Sequence, residues 1–133
     1  MTATPESFQS SWIAELLSNI NVTSLLAYPR EIRESEWQST DFRYPCIRVN
    51  LDFFPSIERC GPDDADIYLE IFDEQKSSKK ATHIASVIQQ EYHGRAFTRN
   101  GVRFSTVIVR AIERPDRDEF AWQRRVKIFC QGV

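Results

Sequence analysis

Four segments of the chain alternate between apolar and polar side chains. From Tyr44 to Phe54, Ile47, Val49, Leu51 and Phe53 share one parity, and Arg48, Asn50 and Asp52 share the other. A period of two predicts a half-buried antiparallel strand, which Pro55 ends. Ala65 to Asp73 repeats the pattern with Ile67, Leu69 and Ile71 facing inward. Gly61-Pro62 lies between the two strands as a turn signal, so they are expected to form a hairpin with a long connection. Val102 to Ile112 and Phe120 to Cys130 are the third and fourth predicted strands. On the last of these Trp122, Val126 and Ile128 point to the core and Arg125 and Lys127 away from it. Arg124 breaks the pattern by sharing the inward parity; a strand end, a bulge or an ion pair with a neighbouring subunit would each accommodate it.

Two other segments repeat at helical spacing. Pro5 to Ile20 places Ile13, Leu16, Leu17 and Ile20 on one stripe extended by Phe8 and Trp12, with Thr4 as N-cap and Pro5 at the first helical position. Lys76 to His93 aligns Ala81, Ile84, Ala85, Ile88 and Tyr92, with Ser77 or Ser78 as its cap and Gly94 positioned for a left-handed C-terminal cap. Asn100-Gly101 marks a turn. Arg30 to Arg43 has mixed charge and no periodicity, and reads as a long loop of the kind that often carries function. Glu113 to Glu119 reads as a charged hairpin tip. The resulting order, α-β-β-α-β-β, predicts one α+β domain over residues 1–133: a four-stranded, mainly antiparallel sheet with two helices packed on one face.

Composition narrows the function classes. At 133 residues the chain suffices for one domain with a true core. Apolar residues make up 41% and charged residues 27%, an ordinary globular balance, and no apolar run is long enough to span a membrane. No membrane partner and no secretory signal are expected from this pattern. Seventeen basic against nineteen acidic side chains argue against a general nucleic-acid binder. Cys46, Cys60 and Cys130 are odd in number, widely spaced and without a C-x-x-C pair, so free thiols are expected.

Candidate chemistry is sparse. Asp63, Asp64, Asp66, Glu70 and Asp73 are the densest acidic run, and metal-dependent nucleases use such carboxylates to hold a divalent ion. The restriction-type core would need a lysine two residues after Glu70, where Phe72 stands. His83 and His93 have no metal-ligand spacing to the cysteines, and no nucleophile elbow or phosphate-binding glycine loop is present. No catalytic residue, no metal and no cofactor are therefore predicted. Arg95, Arg99 and Arg103, with Phe97 and Phe104 nearby, are the basis for the alternative of a small nucleic-acid-binding domain. Apolar residues occupy the outward parity of the strands, notably Tyr68 and Phe72, while Val107 and Val109 share the third strand with Phe104, Ile108 and Ile112. A sheet covered by helices on one face and apolar on the other implies docking against another chain.

The order of elements resembles the tail terminator, or tail completion, proteins of long-tailed bacteriophages, also known as minor tail proteins. The features that carry the resemblance are the N-terminal helix and the polar loop ending in Tyr44-Pro45-Cys46-Ile47-Arg48-Val49. They continue with the strand Asp66 to Phe72, the helix with Ala81, Ile84, Val87 and His93-Gly94, the charged hairpin Arg117-Asp118-Glu119, and Trp122 before the last strand. The resemblance implies a non-enzymatic virion protein. It would form a homo-oligomeric ring, a hexamer in that family, that caps the tail tube, stops tube polymerisation and presents a surface for head–tail joining. Its implied partners are other copies of itself, the tail tube protein and a head-completion or connector protein, with DNA passing through the channel without sequence-specific binding. Its implied location is the tail or neck of the virion, and the host cytoplasm during assembly. The alternatives are a head-completion or connector subunit and, from another class, a nucleic-acid-binding or metal-dependent nuclease domain. The candidate interface residues are Arg30, Glu31, Arg33, Glu34, Trp37, Arg43, Tyr68, Phe72, Arg117, Asp118, Glu119 and Arg124.

Overall fold

The computed structural model describes residues 4–27, 31–34, 43–57, 61–74, 77–117 and 121–133. The chain opens with helix α1 (Pro5–Ser18), held at its start by a reciprocal capping box. The Ser7 backbone N–H donates to Thr4 Oγ1 (3.1 Å) and the Thr4 N–H donates to Ser7 Oγ (2.8 Å). The helix stops short of Ile20 because Asn19 leaves helical geometry and caps a new single turn, α2 (Ile20–Thr23), its Oδ1 accepting from the Asn21 N–H. Then follow β1 (Ile32–Glu34), β2 (Cys46–Phe54), β3 (Asp63–Asp73), α3 (Lys79–Tyr92), β4 (Phe97–Arg99), β5 (Val102–Ile112), β6 (Asp116–Arg117) and β7 (Trp122–Gly132).

The four-stranded sheet with two helices expected from the pattern is therefore corrected. The strands form one seven-stranded mixed sheet in the order β1-β2-β3-β7-β5-β4, with β6 pairing β7, and the sheet curls into a half-barrel accompanied by three helices. The mixed character comes from β1, which runs parallel to β2 through Ile32↔Ile47 to Glu34↔Val49. The strand lies inside the segment read as a loop from Arg30. The extra strands are two or three residues long. An alternation needs at least two full periods to be visible, so such short edge strands leave no periodic signal.

The central ladders are antiparallel: Val49↔Leu69 between β2 and β3, and Leu69↔Val126 between β3 and β7. Strand β5 carries two bulges against β7, between Phe104 and Thr106 and between Val109 and Ala111. Each extra residue switches the parity. Hence Val102 and Phe104 face inward, then Val107 and Val109, then Ile112, while Ile108 faces outward. The apolar residues on both parities of this strand are thus mostly one inner face, renumbered twice.

The core lies between that inner face and the helices. Phe8, Trp12 and Leu16 of α1 and Ala81, Ile84, Ala85, Ile88 and Tyr92 of α3 pack onto Ile47, Val49, Ile67, Leu69, Ile71, Val126, Ile128 and Cys130. Phe8 stands edge-on to Phe53 and Phe104 at 5.1 and 5.0 Å, and Trp12 stands edge-on to Phe97 at 5.0 Å. Gly132 is required at the end of β7, since a Cβ there would lie 2.8 Å from the Phe8 ring. Gly94, with φ of +76°, turns the chain out of α3, and its N–H donates to Val107 O (2.8 Å). Asn100 and Gly101, both at positive φ, make the two-residue turn between β4 and β5. The Tyr44–Pro45 peptide is cis.

Candidate functional site

Strand alternation divides the acidic run between two faces. Asp63 and Asp73 take the inner parity and are buried; Asp64, Asp66 and Glu70 take the outer one. Asp63 Oδ1 accepts from the Ser56 N–H (2.7 Å), Asp64 from Gln131 Nε2 (2.9 Å) and Glu70 from Gln123 Nε2 (3.0 Å), and Asp66 lies 3.9 Å from Lys127 Nζ. Among the described residues no group of His, Cys, Asp and Glu gathers around a common point where a metal ion would sit. The rings imagined as a stacking platform are in the core: Phe104 is fully buried and Phe97 packs on it at 4.9 Å. Arg99 reaches into the fold, pairing with Glu15 (2.9 Å) and donating to Ser18 Oγ (3.1 Å). Glu15 also accepts from the Tyr92 hydroxyl (3.2 Å), which in turn accepts from Asn19 Nδ2 (3.1 Å). This network fastens β4 to the helix ends, and burial pushes the Tyr92 phenol above its ordinary range. His93 Nδ1 accepts from the Val109 N–H (3.1 Å), closing part of the β5 edge.

Among the described residues no helix packs on the outer face of the sheet. Its centre is Tyr68, paired with Asn50 on one side and Lys127 on the other. The Arg125 guanidinium lies 4.9 Å and Lys127 Nζ 5.8 Å from the ring, and the hydroxyl donates to Asp52 Oδ2 (3.1 Å). Desolvation and the Asp52 hydrogen bond raise the Tyr68 phenol. Arg125 holds Glu113 through a two-pronged contact of Nε with Oε2 and of Nη2 with Oε1 (2.9 Å), and that hydrogen bonding keeps the Glu113 carboxyl below the usual range. Arg110 covers the Phe129 ring at 4.6 Å. The face thus presents aromatic rings already layered with cations and bordered by carboxylates.

The sequence-predicted interface residues do not gather in one place. Tyr68 and Phe72 belong to the outer face, with Phe72 opposite Cys46 and Gln123. Glu31 is buried at the start of β1, 3.9 Å from the buried Arg48 and 3.6 Å from Arg33, so its charge serves an internal pair. Glu34 ends β1 exposed, and Arg43 is exposed ahead of β2. Arg117 sits on β6 with its guanidinium 5.4 Å from the Trp122 ring. Arg124 keeps the inward parity at the start of β7 and donates from Nη1 to Thr82 Oγ1 of α3 (3.1 Å). Arg30, Trp37, Asp118 and Glu119 lie outside the described residues. Sequence reasoning missed Asp52, Arg110 and Phe129. Asp52 and Phe129 alternate visibly on their strands, whereas the second bulge hides the side of β5 on which Arg110 lies.

No protein-family model matches the chain, and no curated protein matches it. Solved structures do. A chain from the virion of a native gene transfer agent particle matches with a TM-score of 0.79 at 10% identity, covering 100% of this chain and 98% of the other. Another solved protein matches with a TM-score of 0.59 at 11% identity, covering 96% and 92% of the two chains. At these identities the likeness is one of fold, running from end to end of the domain.

Proposed function

We propose that this protein is a structural subunit of a phage-like virion, located in the particle and acting by stoichiometric binding without chemical turnover. The observation that carries this reading is the end-to-end likeness, at a TM-score of 0.79, to a chain of a gene transfer agent virion. Within that class the tail terminator role fits best. The longer elements keep the order α-β-β-α-β-β on which the resemblance to tail terminators rests, and the outer face of the sheet carries rings layered with cations that suit a contact with another chain. A heterologous contact repeated about a rotation axis closes a ring. Such a ring caps the tail tube, halts its growth and offers its far side to the head. It is assembled in the host cytoplasm and carried in the finished particle.

Negative-stain imaging of the purified protein tests this. Closed rings of uniform diameter that bind one end of isolated tail tubes are the expected result. A protein that remains monomeric at the highest attainable concentration and leaves tube ends bare would refute the terminator role.

A further inference from the structure

Charge is segregated by strand on β3, β4, β5 and β7. Strand β3 carries five carboxylates and no cation, whereas β4, β5 and β7 carry arginines and a lysine and no carboxylate. Where β3 adjoins β7 the two signs meet within the chain, as Asp66 does with Lys127 at 3.9 Å. On β2 the exposed Asp52 forms no ion pair among the described residues, and on β5 neither do the exposed Arg103 and Arg110. Exposed apolar surface accompanies these charges: Phe54 (51% exposed) shares the outer parity of β2 with Asp52, the fully exposed Ile57 follows the strand end, and Ile108 (39% exposed) lies between Arg103 and Arg110 along β5.

Asp52 and Ile108 lie at the same height of the sheet, since Asp52↔Asp66, Asp66↔Phe129 and Ile108↔Phe129 form one row. Among the described residues β1 pairs with β2 at Ile47 to Val49 and β4 pairs with β5 at Val102 to Phe104, so Asp52, Ile108 and Arg110 lie on stretches without a paired strand on that side, while Arg103 stands opposite Thr98 of β4. The backbone at these borders is partly closed already. Gln9 Nε2 donates to Val49 O (2.9 Å) and Asn50 Oδ1 accepts from the Leu51 N–H (2.9 Å). On the other border Gly94 and His93 engage Val107 and Val109. Strand addition is therefore blunted, and contact falls to side chains.

We propose that the protein associates with a second copy of itself head to tail. The acidic and apolar border at Asp52, Phe54 and Ile57 of one copy docks on the basic and apolar border at Arg103, Ile108 and Arg110 of the next. Two different patches on opposite borders make a heterologous contact, which repeats from copy to copy. Opposite charge sets the register and the apolar residues supply the buried area. The inference rests on the ring reading above and names the surfaces that would close the ring.

The test is a charge swap read by sedimentation velocity. Wild-type protein is expected to form one discrete oligomer, and Asp52→Lys or the double variant Arg103→Glu/Arg110→Glu to weaken association by about tenfold or more. Circular dichroism should show both variants folded, as all three side chains are exposed. Equimolar mixing should restore assembly, because native and reversed borders then alternate around the oligomer. Variants that assemble like wild type, or a mixture that stays dissociated, would overturn this interface and leave the ring reading intact. A monomeric wild type would overturn the ring reading itself. Duplex DNA bound by wild type and lost in the arginine variant, with oligomeric state unchanged, would make the basic border a polyanion surface instead.

Discussion

Cys130 illustrates how far local environment sets chemistry at the scale of one residue. Burial pushes its thiol up to about 12 and does the same to Cys46. The thiolate is the nucleophile, so these two sulfurs are chemically silent near neutral pH. Because the folded-state value lies above the unfolded one of about 8.5, the neutral thiols add stability that is complete below pH 8 to 9. That stability is lost as the pH rises toward the folded value. In a Cys60→Ser background, alkylation by iodoacetamide at pH 8 should be undetectable in native protein and complete in urea, as mass spectrometry would show. Rapid labelling of the native state would place these thiols at the surface.

Strands make their own commitments. On β2, Ile47 and Val49 are buried to completion, while Asn50 and Asp52 are exposed. Val49→Asp would bury a carboxylate against α1 and β3 and should cost about 3 kcal/mol or more, a fall of roughly 10 °C in the melting temperature. Asn50→Asp retains an acceptor for the Leu51 N–H and should stay within about 0.5 kcal/mol of the parent. Equal losses in the two variants, measured by calorimetry, would mean that the register is wrong. The first and second predicted strands are legible because each runs through at least four alternations without interruption. Strand β5 is less so, since a bulge is a backbone event with no side-chain signature of its own. The start of α1 is legible in Thr4 and Pro5, whereas the reciprocal bond with Ser7 is a feature of the structure. The early end of α1 is not legible, because Asn19 serves equally well as a fraying residue or as the cap of the next turn.

At the scale of the whole molecule, charge gathers at the end of the sheet where β7 begins, with Glu113 and Arg114 after β5 and Asp116 and Arg117 on β6. Arg117 lies exposed on β6. Reversing Arg117→Glu together with Asp118→Lys should leave a folded subunit whose particles assemble poorly. In a host producing particles only from the variant, electron microscopy should reveal tails of abnormal length unattached to heads, at several times the parental frequency. Normal particles formed in the complete absence of the protein would end the tail terminator reading.

What the sequence determined by itself is the set of elements long enough to repeat their own period: α1, α3, the inner parity of β2 and β3, and the turn at Asn100-Gly101. These depend on neighbours within a few residues, and the chain carries that information locally. The tertiary structure alone decided the sheet order, the parallel β1, the three short strands and the half-barrel curl, since pairing partners are chosen by contacts between distant segments. It also decided the fate of the charges. Glu31 looked like a surface residue and is buried against Arg48, and Arg124 looked misplaced and reaches Thr82. Asp52 and Arg110, unremarkable along the chain, stand on opposite borders of one face. A side chain's charge is written in the sequence; whether that charge is spent inside the fold or left for a partner depends on which strand lies beside it.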